Sequence, residues 1–301
     1  MSKILVSGLI NIETTCPIKG FPLDYFPIDY PFGKVKSIIS GVGYNLITNL
    51  NKLGDHVCFC SMVGNDLFGK LILDELKNKK LSTAHIKPML SATPQSVILS
   101  ATDGRREIYC DLKNYQEVSY DFSTSRKEIE ESELIIACNS NFNRPLVRIA
   151  KEKNKLVATD VHVLSEVYNE YNRDFLENSQ ILFLSDEGLK GKDLKAFVWE
   201  LYSAYHNNII VAGCGKHGAI LFEAEKESFT DFPAVYTRPV VATSGAGDTL
   251  FSTFLHFFIK TGDAKQSLYY ATVAASYKIG ELGSSQGFLE EKALLDLARR
   301  K

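Results

Sequence analysis

The chain is 301 residues long, 45% hydrophobic and 23% charged, with a formal net charge of −2. This is ordinary globular composition with enough apolar material for a sizeable core, and the length suits one large α/β domain with at most a small appendage. The near-neutral balance gives no electrostatic basis for binding nucleic acid or an acidic membrane, and no stretch has the length and apolarity of a membrane span.

Residues 4 to 7 read as a short apolar strand ending at Gly8, and the N-terminus lacks the long apolar stretch of a signal peptide. Asn11 and Glu13 follow. Polar groups past the C-terminal end of a parallel strand either face the ligand crevice of an open α/β sheet or cap a turn. Residues 17 to 36 interleave Pro17, Pro22, Pro27 and Pro31 with Phe21, Tyr25, Phe26, Tyr30 and Phe32. The prolines exclude a helix or a central strand and the aromatics favour burial, so an extended excursion covering the site or a partner subunit is expected.

Gly41 and Gly43 lead into a helical pattern through Leu46, Ile47, Leu50 and Leu53 that ends at Gly54, with Asn45 near its start. Residues 56 to 63 form a continuous apolar strand, consistent with burial on both faces. Gly64 to Gly69 then turns into a helix carrying Leu71, Ile72 and Leu76. Between residues 93 and 120 the texture is strand-like, and Asp103-Gly104 is the strongest hairpin signal in the chain. Four short apolar strands follow, near residues 134–138, 156–160, 181–184 and 209–211, separated by polar or helical segments. That alternation predicts a parallel, helix-covered sheet. Helices over 246–260, 264–282 and 290–299 close the chain.

The six cysteines include no C-x-x-C pair and no matching histidine spacing, so a zinc site or disulfide framework is not indicated and a reducing cytoplasm is expected. Gly213-Cys214-Gly215-Lys216-His217-Gly218 spells the dinucleotide-binding pattern. That fingerprint needs a helix next, whereas residues 219 to 222 read as a strand, so a dehydrogenase is disfavoured.

The stretch Thr243-Ser244-Gly245-Ala246-Gly247-Asp248 sits directly before the apolar run of the first closing helix. Two glycines at a helix N-terminus, where free N–H groups and the dipole's positive end gather, make an anion site. A carboxylate, Asp248, in the first turn of that helix fits either an ordinary helix-start acid after a glycine turn or a base that takes the proton of a hydroxyl attacking a phosphate.

Taken together, these residues resemble the ribokinase-like (PfkB) carbohydrate kinases along nearly the whole chain. Gly41, Gly43 and Asn45 are similar to the family's first signature near the sugar, and Gly64, Asp66 and Gly69 to its G-x-D-x-x-G turn. Gly245, Ala246, Gly247 and Asp248 resemble the second signature. There the resemblance implies an anion hole of backbone amides and an aspartate base. Four departures stand out: Glu13 replaces the usual Asp, Ser185-Asp186-Glu187-Gly188 replaces N-x-x-E, Gly213-Cys214-Gly215 replaces T-x-G, and Ala242 replaces an acid.

The resemblance implies a doubly wound, mostly parallel α/β sheet flanked by helices, one domain over residues 1–301, with a small β lid from about 14–36 and 93–113. It implies ATP-dependent phosphoryl transfer to a sugar hydroxyl. Asp248 would act with the amides of Gly245, Ala246 and Gly247. Asn11, Glu13, Gly41, Gly43 and Asn45 would line the sugar pocket, with Gly213, Gly215, Gly218 and Thr243 near the ATP. Glu187 and Ser185 would sit near Mg2+, through water. A cytoplasmic enzyme, possible as a homodimer through the lid, is expected. Alternatives are a nucleoside kinase, marked by a purine-stacking Tyr25 or Phe26, and a weakly catalytic sugar-binding regulator.

Overall fold

A computed structural model of the chain describes residues 2–101, 105–189 and 191–300. Among the described residues thirteen strands are present: β1 (Lys3–Ser7), β2 (Asn11–Ile18), β3 (Lys36–Ser40), β4 (His56–Gly64), β5 (Ile86–Leu90), β6 (Gln95–Ala101), β7 (Arg106–Asp111), β8 (Leu134–Ala137), β9 (Leu156–Val163), β10 (Ile181–Ser185), β11 (Ile209–Gly213), β12 (Ala219–Glu223) and β13 (Ser228–Phe232). The helices are α1 (Val42–Leu53), α2 (Leu67–Asn78), α3 (Arg126–Glu131), α4 (Arg144–Glu152), α5 (Arg173–Asn178), α6 (Leu194–Tyr205), α7 (Ala246–Thr261), α8 (Ala264–Lys278) and α9 (Glu291–Ala298).

The large sheet has the spatial order β13-β12-β11-β10-β9-β8-β1-β4-β5 and is parallel except near one edge, where β12 pairs antiparallel with both β11 and β13. Its strands read as unbroken apolar runs because both faces are covered. Ile4, Val6, Leu134, Ile136, Ile181 and Phe183 point to one core, together with Leu46 and Leu50 of α1 and Phe251 and Phe254 of α7. The intervening Leu5, Ile135, Leu182 and Leu184 point to the other, against Leu146 of α4, Phe175 of α5 and Phe197 of α6. Period-two alternation thus sorts one strand between two helical layers.

Strand β1 lies between β8 and β4, so successive connections leave it in opposite directions. This is the topological switch point, and crevices open there beyond the C-terminal strand ends. Gly43 lets α1 begin hard against that end: a Cβ on it would lie 2.7 Å from the Gly8 carbonyl carbon and 2.8 Å from the Phe59 ring.

A second sheet has the order β3-β2-β6-β7. Strands β6 and β7 pair antiparallel as the hairpin expectation requires, although its turn residues Asp103 and Gly104 lie outside the described residues. One expectation is corrected here. Pro17 is part of β2, an interior strand of this sheet, where it is the next-to-last residue and pairs with Ser100. The aromatics after it are not buried within the chain: Tyr25 is 92% and Phe32 84% exposed, and Phe26 and Tyr30 are also exposed. No described helix is long and apolar enough to cross a membrane.

The two sheets are tied near β6 by Asp66, the cap of α2. Its carboxylate accepts from Gly69 N at 2.8 Å, Thr93 N at 2.7 Å and Thr93 Oγ1 at 2.6 Å. Partial burial works against the charge, but these hydrogen bonds outweigh it and lower the pKa of Asp66. A carboxylate with a lowered folded-state pKa contributes stability above its unfolded value and loses it as the pH falls through the folded one. Asp66→Ala is therefore expected to reduce unfolding free energy by about 1–2 kcal/mol at neutral pH. Urea titration should show an earlier midpoint with unchanged slope, and the gap should shrink in acid.

Candidate active site

Helix α7 begins at Gly245, whose φ of 78° lies in the left-handed region and whose Cβ would sit 2.3 Å from the Ser284 carbonyl oxygen. Any side chain is excluded there on both counts. The Ala246 N–H closes the turn onto the Thr243 carbonyl at 3.2 Å, so the anion-binding capacity expected of three amides rests on those of Gly245 and Gly247.

One turn in, Asp248 Oδ2 accepts a hydrogen bond from Asn45 Nδ2 at 2.6 Å. Asn45 lies on α1, and the next turn repeats the link: Asn49 Nδ2 donates to Ser252 Oγ at 2.8 Å and to Thr253 Oγ1 at 2.9 Å. Residues four apart on one helix thus match residues four apart on the other, which fixes the two helices at the site. Burial raises the Asp248 carboxyl above the ordinary aspartate range; Asp160 of β9 adds to this, while the Asn45 bond, His162 and Lys278 oppose it.

The other expected sugar-side residues gather around β2. Asn11 is buried and donates from Nδ2 to Ser96 Oγ at 3.1 Å. Among the described residues, Asn11 Oδ1 and Asn45 Oδ1 are buried without a hydrogen-bond partner. Buried acceptors in that condition are rare and suit donors from a bound hydroxyl compound. Glu13, expected on the sugar side, is engaged within the chain. It is buried, accepts from Ser40 Oγ at 2.9 Å and from the Ser284 hydroxyl, and so ties the small sheet to the loop after α8. Gly41 caps α1 and Gly43 serves the close packing described above.

On the opposite side, Ser185 and Gly213 are registered neighbours at the C-terminal ends of β10 and β11. Ser185 Oγ accepts from Glu187 N at 3.3 Å, so the hydroxyl caps the turn that presents Glu187. Gly215 and Gly218 belong to the tight connection into β12, which runs antiparallel to β11. A strand instead of a helix follows that glycine run, as expected, and the dinucleotide-binding context is missing. A cavity of about 550 Å³ is lined by Phe21, Arg105, Arg106, Glu107, Glu187 and Thr243. Arg106 Nη1 donates to Thr243 Oγ1 at 2.7 Å, so β7 reaches the loop before α7.

Sequence reading missed four residues at this site: Arg106, Asp160, His162 and Lys278. Arg106 follows a hairpin turn, where a charge reads as a solvated tip, and Lys278 ends a helix, where a cation is ordinary. Only a strand-end position could have drawn notice to Asp160.

Asn45→Ala removes the donor that favours the charged form of Asp248. Its pKa is expected to rise further, seen as a higher carboxyl titration midpoint by NMR in the variant. An unmoved midpoint would show that the contact does not act on the charge.

Residues 1–292 match the family described as pfkB family carbohydrate kinase. The chain is 22% identical over 320 residues to the 5-dehydro-2-deoxygluconokinase of Clostridium botulinum (strain Eklund 17B / Type B), covering 95% of this chain and 92% of that protein. Among solved structures, a microbiome-derived acarbose kinase superposes with a TM-score of 0.87 at 23% identity, over 99% of each chain. A ribokinase of Arabidopsis thaliana complexed with ribose and ATP superposes with a TM-score of 0.81 at 19% identity, again over 99% of each.

Proposed function

The chain belongs to the pfkB family of carbohydrate kinases, and within that activity we propose that Asp248 is the base for transfer of a phosphoryl group from ATP to a sugar hydroxyl. The observation that carries the assignment is the carboxylate's position. Asp248 lies in the first turn of α7, beside the Gly245 and Gly247 amides, and is fixed by Asn45 at 2.6 Å. The amides bind the charge that develops on the transferring group while the carboxylate takes the hydroxyl proton. A pKa raised by burial moves the base toward neutral pH, where proton transfer is most effective.

The sugar would lie against Asn11 and Asn45, whose unpaired Oδ1 atoms accept hydroxyl protons. ATP would occupy the side bounded by Thr243, Gly213, Gly215 and Gly218, with Arg106 meeting its phosphates. Tyr25 and Phe26, the aromatics that would mark a nucleoside pocket, stand exposed, and that supports a sugar as acceptor.

The donor set fits magnesium held mainly by the nucleotide. Among the described residues no cluster of three His, Cys, Asp or Glu forms a protein cage, whereas Glu187 lines the cavity. Magnesium keeps several waters and takes one or two carboxylates. Glu187 would hold it through water, with Ser185 steadying the Glu187 turn. When bound, the ion neutralises phosphate charge.

The small sheet would act as the lid, and its exposed aromatics as the contact for a second copy. Phe26→Ser combined with Phe32→Ser is then expected to shift the protein to a monomer by sedimentation, with the fold intact. An unchanged mass would remove the dimer from the reading.

The assignment of the base is tested by ATP turnover against a panel of sugars. Asp248→Asn keeps size and removes the proton acceptor, so kcat should fall by about 10²–10⁴-fold with sugar and ATP affinities moved much less. Near-native turnover in the variant would disprove it.

A further inference from the structure

Lys278 is fully buried at the last residue of α8. A buried ammonium is costly unless its protons are matched, so its partners are informative. Its Nζ donates to the Gly283 carbonyl at 3.0 Å and to the Ser244 carbonyl. Ser244 immediately precedes Gly245, the residue that opens the anion hole, and Gly283 immediately precedes Ser284, whose carbonyl oxygen faces Gly245. One ammonium therefore joins the two backbone segments whose close approach sets the start of α7.

The charges facing it are Asp248 of α7 and Glu13 of β2, which favour its protonation, together with Glu281, while Arg106 of β7 opposes it. Burial is the larger effect and lowers its pKa to about 8, which leaves the ammonium the majority species at neutral pH.

Main-chain carbonyls converging on a buried monovalent charge are the ligand field that replaces water around a monovalent metal ion. We infer that Lys278 is a positioning residue that serves as a tethered monovalent cation, locking the Ser244 and Gly283 segments and so holding the Gly245 and Gly247 amides in register for the transferring phosphoryl group. Because the charge is covalently attached, the native enzyme needs no dissolved cation at this place. Removing the side chain should leave a carbonyl-lined cavity that a small cation can enter.

The test, resting on the kinase activity for its kinetic arm, uses Lys278→Ala and Lys278→Met at constant ionic strength in choline chloride. Potassium chloride or ammonium chloride is then titrated in. Both variants are expected to lose about 10²-fold in kcat, the scale of a small misplacement of catalytic groups, with the sugar KM moved much less. Potassium or ammonium should recover about tenfold or more of that loss in Lys278→Ala, and much less in Lys278→Met, whose stem fills the cavity.

The same titration should raise the melting temperature of Lys278→Ala and leave the native protein unmoved, since a ligand that binds only the folded state stabilises it. This thermal arm needs no turnover. A native protein silent with every sugar, beside an alanine variant stabilised by potassium, would fault the assigned reaction and support the tethered cation. Loss of kcat that neither cation relieves, with the melting temperature equally indifferent, would overturn the proposal and reduce Lys278 to packing. Unchanged kcat in Lys278→Met would overturn it as well.

Discussion

In the proposed reaction the site answers one demand: amides that attract anions and a carboxylate that repels them must share the first turn of α7. A carboxylate there is favoured by the helix dipole yet placed against a second negative group as soon as a phosphate arrives. The structure resolves this by fixing Asp248 from the side. Asn45 donates to it from α1, and Lys278 supplies positive charge from α8. The carboxylate is thereby held in place, and in the proposed reaction the Gly245 and Gly247 amides remain for the anion.

The two sheets share this solution. Glu13 of the small sheet and Ser284 of the loop after α8 are joined through hydroxyl groups, with Ser40 bonded to both. Ser285 Oγ donates to the Ile39 carbonyl at 2.8 Å, beside that junction. The same loop meets Lys278 through Gly283 and crowds Gly245 through Ser284. The small sheet is thus linked to the start of α7 by a chain of buried polar contacts, which tolerate little loosening without leaving groups unpaired. Replacement of Asp by the longer Glu13 has a physical setting here, since the carboxylate spans from β2 to two serines.

Much of this was legible in the residues. The alternation of apolar strands with helical segments specified a parallel sheet with two covered faces, because burial on both sides demands continuous apolar runs. Gly245, Gly247 and Asp248 could be placed at a helix start because glycine spacing and the apolar period meet there. Asn45 is expected at the site because it resembles part of the family's first signature with Gly41 and Gly43, although nothing local shows that it reaches residue 248.

The sequence alone determined the class of fold and the position of Gly245, Gly247 and Asp248 at a helix start, since both follow from local periodicity and from glycine spacing. The tertiary structure decided everything that depends on contacts distant in the chain. It tied Glu13 to Ser284, 271 residues away. It left Tyr25 and Phe32 exposed where composition favoured burial, because an extended segment with no facing layer has nothing to pack against. It also placed Lys278 under Ser244, 34 residues earlier in the chain. A lysine ending a helix carries no local mark of burial; only the fold of the following loop removes it from water and gives its charge a task.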